Sequence, residues 1–203
     1  MSGKSFAAKI LDVLQIVKTP FVSLCADDDF ILIDSLYKGS DFLKDNKNFK
    51  TIIGKYIAFD EHFNGDYHKR YTSFPDDVCF DSTKNAENFF KNYYQILWAM
   101  YDKEILLKAF NIINLAKFKN DNFIELVIGA NACFNGGIKF LDEIWGVREL
   151  SVQDHWGMRH IPINNILNIK NDDDYNCFKN LLDKKTEARY ANIVLNNKIE
   201  GQI

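Results

Sequence analysis

The feature that most constrains this chain is a short apolar run that ends in three consecutive aspartates. Residues 21–26 read FVSLCA, and Asp27, Asp28 and Asp29 follow directly. A nearly continuous apolar run that comes after a helical segment is typical of a strand buried on both faces of a parallel sheet. The run therefore predicts a central parallel strand, and the aspartates predict that this strand ends at residue 26.

The rest of the chain alternates between helical and strand patterns, which predicts an α/β sheet with parallel neighbours. Apolar residues at helical spacing predict a first helix over residues 7–17, and a β-rich run predicts a strand over 51–59. Asp34 or Ser35 caps a second helix that ends near Asn46. Further along, the patterns predict strands over 93–101 and 138–141 and helices that begin at Asp102, at Asp121 and near Tyr175. They also predict a long loop or β excursion over 60–82 and an irregular segment over 144–162.

A single domain is expected, because no internal repeat and no Pro/Gly/Ser-rich linker divides the 203 residues. This domain spans 1–203 and includes a helical tail from about residue 170. A net charge of -3 argues against sequence-independent binding to nucleic acid or to an anionic membrane, since both require clustered positive charge. The chain has no apolar run long enough to span a bilayer and no signal-peptide pattern, so a cytoplasmic protein is expected.

Four cysteines are dispersed along the chain without a C-x-x-C pair: Cys25, Cys79, Cys133 and Cys177. A disulfide framework or a zinc site would need closer or more regular spacing. The cysteines are therefore predicted to be buried thiols.

A second aspartate triplet, Asp172-Asp173-Asp174, provides an internal comparison for the first. It precedes an amphipathic helix, so we interpret it as an N-cap that also complements the helix dipole. The first triplet instead follows a strand, and ligands of open α/β sheets bind outside the carboxyl ends of strands. Adjacent carboxylates repel one another, and Mg²⁺ or Mn²⁺ bound together with a substrate diphosphate would offset that repulsion.

The spacing within the first triplet also suits a metal that bridges to a diphosphate. In an extended segment Asp27 and Asp29 point to one side, and Asp28 points to the other. Two other interpretations remain open: a solvated turn, in which aspartate is common, and a phosphoryl-transfer site with Asp27 as the nucleophile. The phosphoryl-transfer motif normally has a downstream Lys with a paired acidic motif, which is missing here, and the bulky Phe30 follows the triplet directly.

The segment TPFVSLCADDDF at residues 19–30 resembles the strand and D-x-D signature of nucleotide-sugar glycosyltransferases with the GT-A fold, especially family 2-like bacterial enzymes. Similarity continues over residues 49–59, 94–101, 122–126 and 147–149 and covers most of the chain, although only the first motif is specific by itself. The resemblance implies an α/β fold with a GT-A-like, Rossmann-like mixed sheet flanked by helices. It also implies a hexosyltransferase-type activity that uses a nucleotide-sugar donor.

In such enzymes the D-x-D carboxylates hold Mg²⁺ or Mn²⁺ against the donor diphosphate. The resemblance thus implies Asp27 and Asp29 as metal ligands, with Asp27 and Asp28 also near the donor. Asp28 is included because a triplet allows more than one placement of the motif. His155, in the irregular segment together with Trp156, is implied as an additional metal ligand, ahead of His160.

Arg148 is a candidate donor-binding residue, because its forked guanidinium suits phosphate. An ion pair with Glu149 or Asp142 is the alternative interpretation of Arg148.

Glu125 is the candidate catalytic base, since an inverting enzyme of this kind needs a carboxylate to take the proton of the acceptor hydroxyl. Gly129 and Ala132 lie on nearly the same face of its predicted helix and predict a shallow surface where the acceptor could bind. Alternatively, Glu125 only complements the dipole of a helix that begins at Asp121.

The resemblance implies a nucleotide-sugar donor and a glycan or lipid-linked acceptor as partners, with no nucleic acid and no transmembrane segment, and it allows a homo-oligomer. Family members carry a longer, nucleobase-binding part before the D-x-D strand than the 26 residues that precede Asp27 here. An N-terminally truncated version of the fold is therefore expected. The alternative function is a non-catalytic, truncated glycosyltransferase-like module that associates with a partner.

Overall fold

The computed structural model describes residues 3–59, 86, 89, 95–149 and 172–186. Within these ranges the chain forms a mixed α/β fold of five helices and five strands. In chain order they are α1 (Phe6–Ile16), β1 (Phe21–Ser23), β2 (Phe30–Ile31), α2 (Ile33–Asp45), β3 (Phe49–Phe59), β4 (Met100–Asp102), α3 (Lys103–Ala116), α4 (Asn122–Asn135), β5 (Gly137–Glu149) and α5 (Asp173–Thr186). None of the helices in this part of the chain is long and apolar enough to cross a membrane.

The five strands form one mixed sheet in the order β1-β4-β3-β5-β2. Strands β3 and β5 are its long parallel pair, with register from Phe49 opposite Gly137 to Phe59 opposite Glu149. Strand β4 pairs with β1 and β3 antiparallel, and β2 pairs with β5 antiparallel. The coarse prediction of a mixed sheet with helices is confirmed.

The prediction that residues 21–26 form a central parallel strand is wrong. Strand β1 covers only Phe21–Ser23, lies at one edge of the sheet, is half-buried and runs antiparallel to its neighbour. Phe21, Val22 and Leu24 pack against the outside of the core, so the run is apolar although the sheet does not enclose it on both sides. Residue type alone does not distinguish these two settings.

The pairings bring particular strand ends together. Because β4 is antiparallel to both β1 and β3, strands β1, β3 and β5 run in one direction while β2 and β4 run in the other. The carboxyl ends of β1, β3 and β5 therefore share one end of the sheet with the amino ends of β2 and β4. We call this the carboxyl end of the sheet.

Residues 24–29 connect β1 at one edge of the sheet to β2 at the other edge. Part of this connection is a tight turn, in which the Asp29 N–H donates to the Ala26 carbonyl at 3.3 Å. Strand β1 ends and strand β2 begins at the carboxyl end of the sheet. A linker this short can therefore join the two edges by passing across that end.

The helices follow their local sequence signals closely. Helix α1 begins at the predicted place, with the Ser5 side chain accepting from the Ala8 N–H at 3.2 Å. The Asp102 side chain caps α3 as predicted, whereas at α4 the Asn120 side chain, not Asp121, accepts from the Asn122 N–H at 2.9 Å. Helix α2 begins at Ile33 without a side-chain cap, one or two residues ahead of the predicted caps.

Two strand predictions need correction. Residues 95–99 form a turn and not a strand, so within the described part of the predicted strand, residues 95–101, only the end belongs to β4. The strand predicted over 138–141 continues to Glu149, because its parallel pairing with β3 persists through two β-bulge-like register shifts near Ile53 and Lys55. Residues 144–149 thus belong to β5, and residues 150–162 of the predicted irregular segment lie outside the described residues. The predicted loop over 60–82 lies outside the described residues.

Candidate functional site

The acidic triplet forms the turn at the carboxyl end of the sheet. Asp27 and Asp28 are exposed at the tip of this turn, whereas the Asp29 side chain is only 5% exposed. The extended conformation that would direct Asp27 and Asp29 to one side is therefore wrong. The turn instead separates two carboxylates that face solvent from one that faces the protein.

Arg148, near the end of β5, is the cation that faces the buried carboxylate. Its Nε donates to Asp29 Oδ2 at 3.1 Å, and its side chain is 20% exposed. The contact follows from sheet register, since Phe30 pairs with Val147 and so brings the residue before β2 beside Arg148. Of the two partners considered from the sequence, Asp142 pairs with Lys55 instead, and the Glu149 side chain lies outside the described residues.

Two aromatic rings support the guanidinium group. The Arg148 Cζ atom lies 4.9 Å from the centre of the Tyr56 ring and 5.7 Å from the centre of the Trp98 ring, distances at which cation–π attraction operates. The Nη1 atom donates to Gln95 Oε1. The Nη2 atom is buried and has no hydrogen-bond partner among the described residues. One end of the guanidinium is thus fixed from several sides, while these residues leave one donor atom unsatisfied.

Gln95 connects this arginine to the candidate base. Its Nε2 donates to Glu125 Oε1 at 2.7 Å, while its Oε1 accepts from Arg148. Asp29, Arg148, Gln95 and Glu125 therefore form a continuous hydrogen-bonded series across the carboxyl end of the sheet. Sequence reasoning missed Gln95, because the turn that presents it was predicted as a strand.

The turn over residues 95–99 is held by contacts to its carbonyl groups. Ser23 Oγ and Trp145 Nε1 donate to the Trp98 carbonyl at 3.3 and 3.1 Å, and the Tyr101 hydroxyl donates to the Ile96 carbonyl. These donors come from β1, β5 and β4. The backbone that carries Gln95 is therefore fixed by three different strands.

Glu125 lies in the first turn of α4 and is half-buried. The shallow acceptor surface predicted beside it is wrong, because Gly129 and Ala132 are both buried. A Cβ atom at Gly129 would come within 2.3 Å of the Phe89 ring, so that ring occupies the space above the glycine. Any acceptor would have to approach Glu125 from another direction.

Burial and the site's charges alter the acidity of its neutral groups. Burial raises the pKa of Tyr56, although Arg148 opposes the shift, and burial followed by the charge of Glu125 raises the pKa of Tyr101. Partial burial, and then the charges of Asp29 and Asp28, raise the pKa of the Cys25 thiol. All three groups are therefore protonated at neutral pH.

The cysteine predictions have mixed outcomes. Cys133 is buried as predicted, and burial raises the pKa of its thiol, but Cys25 is exposed and Cys177 is only half-buried. Cys79 lies outside the described residues. The prediction of a buried thiol is wrong for Cys25 because the linker that carries it lies at the end of the sheet and not within it.

A metal at this site would be held by few protein atoms. Within residues 3–59, 95–149 and 172–186 no group of three or more His, Cys, Asp or Glu side chains could hold a metal ion. Magnesium sites commonly use only one or two carboxylates, with substrate phosphates and waters as the other ligands. The exposed Asp27 and Asp28 fit that type of site, whereas the carboxylate of Asp29 is engaged by Arg148. His155 and His160 lie outside the described residues.

No protein-family model and no curated protein matches the sequence of this chain. The residues of the site and the motif at residues 19–30 are therefore the features that bear on the function.

Proposed function

We propose that this chain is a metal-dependent glycosyltransferase domain of GT-A-like fold that transfers a sugar from a nucleotide-sugar donor to an acceptor hydroxyl. The observation that carries the proposal is the hydrogen-bonded series from Asp29 through Arg148 and Gln95 to Glu125. It lies at the carboxyl end of the sheet, where open α/β sheets bind ligands. The D-x-D resemblance of residues 19–30 supports the same assignment.

Arg148 would bind the donor diphosphate. A buried donor without an acceptor costs about 1–3 kcal/mol, so an anionic oxygen that reached Nη2 would be stabilised there. Guanidinium groups bind phosphate through directed N–H bonds, and Asp29 and Gln95 hold this one in a fixed orientation. Because Nη2 is buried, the side chains over it must shift slightly when the phosphate binds.

Asp27 and Asp28 would hold Mg²⁺ or Mn²⁺ from the protein side, with Asp29 behind them. A bound divalent cation would neutralise charge on the departing nucleoside diphosphate. The role of this chain is to present two solvent-facing carboxylates on a short turn. The Asp29–Arg148 pair anchors the base of that turn and so limits its movement.

Glu125 would act as the general base. In an inverting transfer the acceptor oxygen attacks the anomeric carbon, its proton passes to the Glu125 carboxylate, and the bond to the nucleoside diphosphate breaks. The hydrogen bond from Gln95 Nε2 suits the ionised carboxylate, which accepts hydrogen bonds and does not donate them.

The reaction can be tested with a panel of nucleotide sugars in the presence of Mg²⁺ or Mn²⁺, with release of nucleoside diphosphate as the measurement. Loss of a general base typically lowers turnover by about 10²–10⁴-fold, so we expect Glu125→Gln to lower kcat within that range. Asp27→Asn should weaken metal-dependent activity. Asp45→Asn, an exposed aspartate at the end of α2, serves as the matched control. If the wild-type protein releases no diphosphate from any donor, the proposal is wrong.

Metal binding can be tested without activity, because Cys25 reports on the charge of the triplet. Partial burial, and then the charges of Asp29 and Asp28, raise the pKa of the Cys25 thiol, so a cation at the turn should offset the effect of the charges, lower the pKa and increase the thiolate fraction. We expect Mg²⁺ to accelerate alkylation of Cys25 by iodoacetamide relative to NaCl of equal ionic strength. Asp28→Asn should react faster without Mg²⁺ and respond less to it. An unchanged rate with Mg²⁺ in the wild type would contradict a metal site at Asp28.

A second candidate function is a non-catalytic module that associates with a partner. Phe30, Ile33 and Tyr37 are 65%, 67% and 68% exposed where β2 leads into α2, and apolar groups exposed together often mark protein interfaces. Sedimentation of the wild type and of Phe30→Ser over a range of concentrations tests this alternative. Self-association that Phe30→Ser abolishes, in a protein that binds no nucleotide, would favour it.

A further inference from the structure

Gln95 connects Arg148 to Glu125, which lie on different elements of the site. Its backbone belongs to the turn before β4, and its side-chain amide lies between Arg148 of β5 and Glu125 of α4. Both ends of the amide are engaged, since Oε1 accepts from Arg148 and Nε2 donates to Glu125 at 2.7 Å.

The chemistry of its neighbours fixes which way the amide faces. Arginine has only donors, and an ionised carboxylate has only acceptors. A flipped Gln95 amide would direct N–H groups at Arg148 and an oxygen at Glu125, so it would lose both hydrogen bonds. Gln95 therefore holds the Glu125 carboxylate at a defined position relative to the guanidinium.

We propose that Gln95 is a positioning residue that fixes the Glu125 carboxylate relative to Arg148 and so couples the phosphate-binding end of the site to the base. This inference rests on the proposed function. Gln95 itself contacts neither metal nor sugar in this scheme, and it acts through Glu125. A movement of Arg148 toward a donor phosphate would be transmitted to Glu125 through the amide.

An uncharged connector suits this task better than a direct ion pair. A guanidinium in contact with Glu125 would compete with the acceptor hydroxyl for the carboxylate, whereas the amide supplies a weaker, neutral hydrogen bond. The amide N–H is not acidic, so Gln95 orients the carboxylate without exchanging a proton with it. Asp29 balances the charge of Arg148 on the other side.

The first test replaces Gln95 by methionine, which has a similar length and no hydrogen-bonding amide. A base displaced by about 1 Å loses on the order of 100-fold in rate, so we expect Gln95→Met to lower kcat by about 10- to 100-fold. The KM for the donor should stay within about twofold, because Arg148 keeps its contact with Asp29. Gln15→Met, on the exposed surface of α1, is the matched control.

The second variant, Gln95→Glu, separates the two hydrogen bonds. Its carboxylate still accepts from Arg148, but it donates nothing to Glu125 and repels it. We expect a loss of kcat at least as large as that of Gln95→Met. Because Gln95→Glu retains the contact to β5, it tests the inference even if Gln95→Met does not fold. Thermal unfolding of each variant verifies that the protein is folded at the assay temperature.

The outcomes distinguish this inference from the function on which it rests. If the wild type is active and both Gln95 variants match Gln15→Met in kcat, the inference is wrong and the proposed function stands. A raised donor KM with unchanged kcat would also overturn it, because that result indicates a binding role. If the wild type binds no donor and transfers no sugar, the proposed function fails and the inference fails with it.

Discussion

The two aspartate triplets have the same sequence, but their side chains contact different kinds of groups. In both, the third aspartate is the buried one: the Asp29 side chain is 5% exposed, and Asp174 as a whole is 7% exposed. Asp29 faces the side chain of Arg148, whereas Asp174 accepts from the backbone N–H groups of Lys119 and Asn120 at 2.8 and 2.7 Å. Asp172 accepts from the Tyr175 N–H at 2.8 Å, as predicted for an N-cap.

The difference shows how identical residues come to contact different partners. At the second triplet Asp172 and Asp174 accept from backbone N–H groups, and Asp174 attaches α5 to the loop before α4, so these hydrogen bonds serve the fold. At the first triplet the structure, over the residues it describes, pairs the Asp29 side chain with Arg148, and Asp27 and Asp28 are exposed at the carboxyl end of the sheet. Substitutions at both triplets test this contrast, two through the free energy of unfolding and one through the pKa of Lys119.

The largest effect is expected from Arg148→Met, which leaves Asp29 buried without its cation. Removing one partner of a buried ion pair costs about 3–5 kcal/mol, because the other charge stays desolvated. Urea denaturation followed by circular dichroism measures the loss. In the Asp29→Asn background the same change should cost clearly less. An equal cost in both backgrounds would mean that Arg148 stabilises the fold through its contacts with Gln95 and the two aromatic rings and not through Asp29.

An intermediate effect is expected from Asp174→Ala, which removes the acceptor of two backbone N–H groups. Hydrogen bonds to a charged group contribute about 1.5–3 kcal/mol each, and the relief of a buried charge offsets part of that, so we expect a loss of about 2–3 kcal/mol. The neighbouring Asp173 is 82% exposed, so Asp173→Ala should leave the unfolding midpoint in urea nearly unchanged. If Asp173→Ala lowered the free energy of unfolding as much as Asp174→Ala does, the result would contradict the assignment of the stabilising contacts to Asp174.

The smallest effect is expected for the pKa of Lys119, which pairs with Asp173 of the second triplet. The hydrogen bond from Lys119 to Asp173, and then the charge of Asp173, raise the pKa of Lys119 above its ordinary 10.5. A raised pKa favours the folded state below pH 10.5, and this contribution is lost as the pH rises through the higher folded value. Asp173→Asn should bring the pKa of Lys119 back toward 10.5, as measured by NMR titration of its side chain. The same titration midpoint for Lys119 in the wild type and in Asp173→Asn would contradict the pairing of Lys119 with Asp173.

The same contrast explains which elements and contacts could be predicted from the sequence. The Asp172 cap acts over three residues, so a local pattern was sufficient to predict it. Helix α1, strand β3 and the start of α3 were predicted for the same reason. The contact between Arg148 and Asp29 spans 119 positions, and it depends on which strand lies at which edge. Hydrophobic periodicity carries no such information.

The candidate site was therefore predicted as separate residues and not as an arrangement. Asp27, Asp28, Asp29, Arg148 and Glu125 were chosen from the sequence, yet the residue that links the last two was not. Gln95 became visible only once residues 95–99 were known to form a turn whose carbonyls are held by neighbouring strands. A polar residue in a predicted strand gives no sign that it bridges two other elements.

The linker between the two edge strands also bears on the order of events during synthesis. Strand β1 pairs with residues 100–102 and β2 with residues 146–147, so β1 finds its partner only after Asp102 has been made and β2 only after Val147. Pairings between segments so distant in the chain form slowly, because the loop between them must first close. We expect the acidic turn to leave the ribosome before the partners of its two flanking strands are made, and to reach its final place only after both strands have paired.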